Sequence, residues 1–213
     1  MKHTFVLGMI DITNRHDFGG ADMAEATLYH ATSHANAGKI LREGFRIPQN
    51  DWGHFYAGSH FKQPGSLGYG TYGFLEDKQL AGEFWASMYK SLSRYDIMRV
   101  EIEYRIGNSL NFVDNLEDMK YFREFLKDPF FHSGINNLHT RFKNTFRQHA
   151  LDGALIEYYI KNAIQRGWFH QIDCVCCATS TNVYDRMNIF LPNGIEYCIR
   201  NKDIITRISI RSD

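Results

Sequence analysis

LYHATSHANAGKILREGF, residues 28–45, reads as a strand end, a cap, a short helix and a stop. Leu28 and Tyr29 suit the end of a strand. Thr32 or Ser33 can N-cap the following helix, because a hydroxyl oxygen accepts from an orphan N–H of the first turn. Ala37, Ile40 and Leu41 then recur at i, i+3 and i+4 and make one apolar stripe. Gly44 supplies the C′ position that ends the helix, and Phe45 opens the next segment. His30, Ala31 and Thr32 thus fall at a strand-to-helix junction. Such a junction presents backbone N–H groups and side chains together, which suits a small ligand. The same residues also fit an ordinary turn with an incidental histidine.

The 213 residues suffice for one large domain, and 44% hydrophobic with 15% aromatic residues can build a substantial core. The 24 basic and 24 acidic residues cancel. That argues against a protein held broadly on nucleic acid or membrane by charge, while leaving room for a local basic face. No apolar run is long enough to span a bilayer. The opening segment MKHTFVLGMIDITNRHDFGG lacks the pattern of a signal peptide, so a cytoplasmic protein is expected. Cys174, Cys176 and Cys177 crowd into IDCVCCATS, and Cys198 follows later. The spacing of Cys174 and Cys177 invites a zinc reading. In a strand, however, these two side chains point to opposite faces, and no second ligand pair follows. Buried free thiols in a reducing cytosol, and no metal, are expected.

Taken in order, residues 1–24 form an N-terminal extension with an edge strand over 4–10. Residues 46–70 read as a long loop, the kind more often functional than idle. A short strand over 70–74 precedes a helix over 75–91 with Leu80, Phe84, Met88 and Leu92 on one side. DIMRVEIEY, residues 96–104, alternates as a half-buried strand, and 110–113 is another candidate. NLEDMKYFREFLKD reads as an amphipathic helix stopped by Pro129, continuing helically after a turn at Ser133 and Gly134. Residues 115–150 are therefore a helical insertion. Residues 154–159 read as a strand with a connector over 160–166. Further strands are expected over 174–178, 188–191, 195–200 and 206–210, with a turn at Pro192, Asn193 and Gly194. The order is α+β.

Three pieces carry polar residues in matching settings: YHATS at 29–33, GYGTYGF at 68–74 and NGIEYCI at 193–199. Together, and in this order, they resemble the ADP-ribosyltransferase family, in the His-Tyr-Glu branch shared by poly(ADP-ribose) polymerases and diphtheria-like toxins. The family pieces are His-Gly-Ser/Thr, Gly-x-Gly-Ile-Tyr-Phe and Glu-Tyr-hydrophobic. The chain departs from them at Ala31, where the family has glycine, and at Gly73, which separates Tyr72 from Phe74. The resemblance covers roughly residues 25–210. It implies a single catalytic domain over 25–213, with a mixed, mainly antiparallel split β-sheet, flanking helices and the helical insertion.

It also implies chemistry. The family cleaves the nicotinamide–ribose bond of NAD⁺ and passes ADP-ribose to a nucleophile. By resemblance Glu196 is the carboxylate beside the ribosyl cation, Tyr72 packs on the nicotinamide ring, and Phe84 or Trp85 forms the opposite wall. His30 resembles the histidine on the adenosine-side ribose. The Ala31 backbone takes the carboxamide position, and Thr32 or Ser33 can reach a ribose hydroxyl. Each residue also has a plainer reading: a solvated strand carboxylate, a core tyrosine, helix core, an incidental histidine, a helix cap. Gly65, Gly68, Gly70 and Gly73 offer a backbone surface for the diphosphate or simply a loop, and Arg42, Arg46 and Lys62 are phosphate candidates or solvated charges. No phosphate-loop or dinucleotide-binding glycine fingerprint is present, which disfavours nucleotide hydrolases and dehydrogenases.

Gly194 stands where arginine-modifying toxins carry a second glutamate, which disfavours that acceptor. The expected function is single transfer of ADP-ribose to a macromolecule, whether protein, RNA or DNA. The setting suggested by the family's habits is a bacterial or phage effector, or a toxin with an antitoxin or inhibitor protein as partner. An NAD⁺ glycohydrolase and a non-catalytic module that binds NAD⁺ or ADP-ribose remain as alternatives. No membrane partner is expected.

Overall fold

The computed structural model describes residues 22–48, 50, 63–89, 94–142, 149–181 and 191–210. The N-terminal strand expected over 4–10, Leu92, Lys62 and most of the strand expected over 188–191 lie outside the described residues, while Leu191 itself is not in a strand. The architecture is α+β, with a seven-stranded mixed sheet of order β4-β5-β6-β2-β1-β3-β7. The strands are β1 (Met23–Ser33), β2 (Thr71–Leu75), β3 (Tyr95–Arg105), β4 (Ser109–Phe112), β5 (Cys174–Thr179), β6 (Gly194–Ile199) and β7 (Ile205–Ile210). Only β4 and β5 run parallel; the other pairs are antiparallel. Among the described residues the helices are α1 (His34–Glu43), α2 (Lys78–Met88), α3 (Leu116–Lys127), α4 (His132–Phe142) and α5 (Ala150–Gln165). The expected split sheet is found as one continuous sheet. Its weak point is β1–β2, where the ladder comprises two residue pairs, Leu28↔Leu75 and Tyr29↔Phe74.

Alternation explains the sheet's two faces. On one face Leu28, Met98, Val100, Ile102, Tyr104, Cys174, Cys176, Tyr197 and Ile199 pack with Ala37 of α1 and with Phe45. On the other, Leu110, Val175 and Cys198 pack against Phe125, Ile156, Tyr159 and Ile160 of α3 and α5. That same face carries α2 at its other end, where Leu80 and Ala81 meet Phe74, Tyr29, Ala31 and Ile97. Cys174 and Cys177 do lie on opposite faces, and all four cysteines are free thiols. A strip of sheet over β6 and β2 is thus flanked by α5 on one side and α2 on the other.

The opening stretch folds with a shifted boundary. β1 runs through His30, Ala31 and Thr32 to Ser33, so the triplet sits within the strand rather than after it. Ser33 is the cap, its hydroxyl accepting from the Asn36 N–H at 3.3 Å. Gly44, at φ 75°, ends α1, its N–H bonding the Ile40 carbonyl at 2.8 Å. Of the expected stripe only Ala37 is fully buried, and Leu41 is 49% exposed. In α2 the buried residues are Leu80, Ala81 and Gly82, one turn of the helix, whereas Phe84 and Met88 are exposed. Asp77 begins that helix by accepting from the Leu80 N–H at 2.7 Å.

The largest correction concerns residues 154–159, expected as a strand. They lie inside α5, 16 residues long and buried almost all round. A short apolar run carries no period that separates a buried strand from a buried helix. Here burial at Ala150, Gly153, Ala154, Glu157, Ile160 and Ala163 follows the three-and-four spacing of a helix packed on several sides. The expected break at Ser133 and Gly134 falls earlier, in a 3₁₀ turn at Pro129–Phe131, and Gly134 lies within α4, where a Cβ would overlap the Tyr158 ring.

Gly153 faces the turn at residues 65–68. A Cβ there would overlap the Gly65 carbonyl oxygen and come within 2.8 Å of the Gly68 nitrogen. Alanine ordinarily favours a helix by about 1 kcal/mol over glycine. Overpacking against backbone costs about 1–3 kcal/mol or more, so the clash wins. Gly153→Ala is therefore expected to lower the denaturation midpoint in urea, and a raised midpoint would show that the helix and turn are not in contact.

Candidate functional site

The three motif strands are neighbours, in the order β6-β2-β1. In register, Glu196 pairs with Phe74 and Phe74 with Tyr29, a row across all three strands. Cys177 extends that row onto β5. Tyr72 pairs with Cys198 in the next row on the same face.

Glu196 is 8% exposed. The Ser66 hydroxyl donates to its Oε2 at 2.6 Å. Burial pushes its carboxyl pKa above the ordinary 4.5, opposed by the Ser66 hydrogen bond and by His149 at the head of α5. A carboxylate sunk in the protein with one donor is a strong local field for a developing cation, since little water screens it.

Tyr72 is turned toward the segment that precedes β2. Its hydroxyl donates to the Gly68 carbonyl at 2.6 Å and accepts from the Leu67 N–H at 3.0 Å. Burial raises its phenol pKa well above 10. The ring fastens the turn at 65–68, whose ends also bond each other through Gly65 and Gly68. The aromatic residue paired with Glu196 is Phe74, 5% exposed. Phe84 stands against Phe74 with ring centroids 5.6 Å apart. Trp85 instead packs with Tyr89 and Tyr95 at 4.1 and 6.1 Å. Of the two candidate wall residues, Phe84 reaches the Glu196 row.

His30 lies on the other face of β1, beside Phe45 in an edge-on contact at 5.3 Å. It nevertheless touches the same junction, because its Nδ1 is 2.7 Å from the Tyr72 carbonyl oxygen. A carbonyl only accepts, so Nδ1 carries the proton. Burial holds the imidazole pKa below the ordinary 6.5, partly opposed by this hydrogen bond. The ring is thus neutral at neutral pH, and Nε2 keeps an acceptor lone pair. Thr32 is buried at 5%, two residues on along the same side of the strand.

The weak β1–β2 ladder has a consequence at Ala31. The Thr27 carbonyl accepts from the Glu76 N–H at 2.9 Å, so Thr27 faces β2. Strand residues two apart point their peptide groups the same way. Tyr29 and Ala31 therefore also face β2, and the ladder ends at Tyr29. Beyond Tyr29 no further β1–β2 pair is formed among the described residues, and the Ala31 methyl packs beside Phe74 on the Glu196 face.

Glu157, Arg200 and Ser66 are site residues absent from the sequence reading. Arg200, just past β6, forms a two-pronged ion pair with Glu157 of α5; the Nη2–Oε2 contact is 3.1 Å and Nη1 bonds Oε1. Glu157 Oε1 accepts from the Tyr69 N–H at 2.7 Å, and Arg200 Nη1 donates to the Tyr69 carbonyl at 3.3 Å. Burial alone would lower the Arg200 pKa, but Glu157 outweighs it and raises it. The one available signal was a carboxylate inside the apolar run LIEYYI, which requires a buried partner. Arg42 and Arg46 are exposed.

No protein-family model matches this chain, and no curated protein or solved structure matches it. Among the described residues, no group of three or more His, Cys, Asp or Glu side chains is arranged to hold a metal ion. No helix among them is long and apolar enough to cross a membrane.

Proposed function

We propose that the chain is a mono-ADP-ribosyltransferase that uses NAD⁺ as substrate and a macromolecule, protein or nucleic acid, as acceptor. The observation that carries this reading is the adjacency of the three motif strands, with a buried Glu196 beside the short β1–β2 ladder that ends at Tyr29. The bond between the ribose carbon and the nicotinamide nitrogen breaks, and its electron pair neutralises the pyridinium. The ribosyl carbon is left cationic until the acceptor's nucleophile adds and gives up its proton. Glu196 stabilises that cation and accepts from a ribose hydroxyl. The Ala31 N–H and C=O hold the carboxamide, as a strand edge holds an amide. Phe74, Phe84 and the Tyr72 ring supply the apolar wall for nicotinamide, while His30, on the other face of β1, holds the Tyr72 carbonyl. Zero net charge is compatible with an acceptor recognised by local contacts rather than by a broad field.

Incubating the protein and a cell lysate with NAD⁺ labelled in the adenosine moiety tests the reading directly. Label expected in macromolecules is then divided by protease and nuclease treatment into protein and nucleic-acid fractions. Release of free ADP-ribose alone would assign water as the acceptor. Absence of both labelled products would reject transfer and hydrolysis together.

A further inference from the structure

The segment at residues 65–69 is held from every side it touches. Gly65 and Gly68 exchange backbone hydrogen bonds at 3.1 and 3.2 Å. The Tyr72 hydroxyl bonds both Leu67 and Gly68. Glu157 and Arg200 take the two backbone groups of Tyr69. Gly153 of α5 lets the helix lie directly against Gly65. Leu67, at its centre, is buried in the core beneath α3 and α5. A five-residue turn does not need this many restraints merely to reverse the chain. Among its side chains, Ser66 is the one that projects to Glu196, 130 residues away in sequence.

We propose that Ser66 is a positioning residue: its hydroxyl grips Oε2 of Glu196 and leaves Oε1 as the oxygen presented to the ligand, while the Glu157–Arg200 pair keeps the turn that carries it in place. The catalytic meaning of this arrangement rests on the reading of Glu196 as the reacting carboxylate. The physical relation does not. A carboxylate with two rotatable oxygens in an apolar strip is poorly specified by packing alone. A single short hydrogen bond to one oxygen sets the rotation of the carboxylate plane and favours its ionised form. The other titratable groups around Glu196 are Cys177 on β5, Cys198 on β6, Tyr72 on β2 and His149 before α5. None supplies a hydrogen bond to Oε2 among the described residues.

The test is a pH titration of the Glu196 carboxyl carbon by NMR in protein labelled with ¹³C-glutamate, its resonance assigned by loss in Glu196→Gln. Ser66→Ala is expected to raise the Glu196 midpoint by about one pH unit, the scale of a lost hydrogen bond to a charged group. Ser66→Thr, which keeps the hydroxyl, is expected to return it to the wild-type value. An unchanged midpoint in Ser66→Ala overturns the proposal. So does a shift that Ser66→Thr does not reverse, since altered packing would then account for it. The same variants in the NAD⁺ assay should move the acidic limb of kcat/KM by the same amount. If Glu196→Gln retains full transfer while the titration behaves as expected, the functional reading fails and the positioning of the carboxylate stands.

Discussion

Glu196→Gln is expected to lower kcat for transfer of ADP-ribose by about 10²–10³-fold with little change in KM, measured with labelled NAD⁺. The expected split follows from where the charge appears. In the ground state the positive charge is delocalised over the pyridinium ring, whereas bond cleavage concentrates it on the ribosyl carbon beside the carboxylate. An interaction strengthened only in the transition state acts on kcat. Glutamine is nearly isosteric and keeps an oxygen for the Ser66 hydroxyl, so the turn at 65–69 has no reason to move. A variant with normal turnover would remove the proposed function.

The same substitution is expected to stabilise the fold, and the sign can be worked out. Burial raises the Glu196 pKa in the folded state above its ordinary 4.5. Between that value and the raised one, the folded protein binds more protons than the unfolded chain. Stability therefore falls as pH rises through this window, and the ionised carboxylate carries its full cost above it. Glutamine never ionises. The melting temperature of Glu196→Gln should exceed that of the wild type at pH 8, and the gap should close as pH falls toward 4.5. Activity lost and stability gained from one isosteric change would mark a group kept for chemistry rather than for the fold.

Much of the sheet was legible because its strands alternate. Met98, Val100, Ile102 and Tyr104 could be assigned to the buried face of β3 from spacing alone, and all four are buried. The caps were legible for a similar reason: Gly44 has a conformational role that few other residues fill, and the N-cap was narrowed to Thr32 or Ser33, of which the structure uses Ser33. α5 was misread because its sequence, ALDGALIEYYIKNAIQ, is buried on most sides and so lacks a polar face to reveal its period. In α2 the stripe Leu80, Phe84, Met88 has helical spacing, but only Leu80 is buried; Phe84 meets Phe74 at the sheet's rim and Met88 is exposed. Periodicity could mark the helix but could not show how far the sheet beneath it extends. The site divides in the same way. The order of the three motifs was visible in the chain, and the structure sets their strands side by side. Tyr72 spends its hydroxyl on the turn just before it, and that Phe74 rather than Tyr72 stands in the Glu196 row depends on pairing between strands far apart in the chain. Ser66, Glu157 and Arg200 come from a loop, a helix and a strand end, and no local pattern joins them.

Removal of either partner of the Glu157–Arg200 pair is expected to cost about 3–5 kcal/mol, or roughly 6–20 °C in melting temperature for a chain of this size. The pair has little solvent to fall back on: the Glu157 side chain is 2% exposed and that of Arg200 16%. The two losses should not be equal. Arg200→Met strands the deeper charge, Glu157, whereas Glu157→Met leaves a guanidinium with some access to water and a remaining hydrogen bond to the Tyr69 carbonyl. Arg200→Met should therefore be the worse variant at pH 8. It should also recover as pH falls, because an unpaired buried carboxylate has its pKa raised and becomes neutral on protonation. Glu157→Met has no such group to protonate and should show no matching recovery. The double variant leaves no stranded charge, so its cost should be less than the sum of the two and close to that of unpairing the Tyr69 backbone, about 1–3 kcal/mol. Urea denaturation of the three variants at pH 5 and pH 8 measures all of these differences. Equal losses without pH dependence would mean that water screens both charges and that the pair is not buried as described.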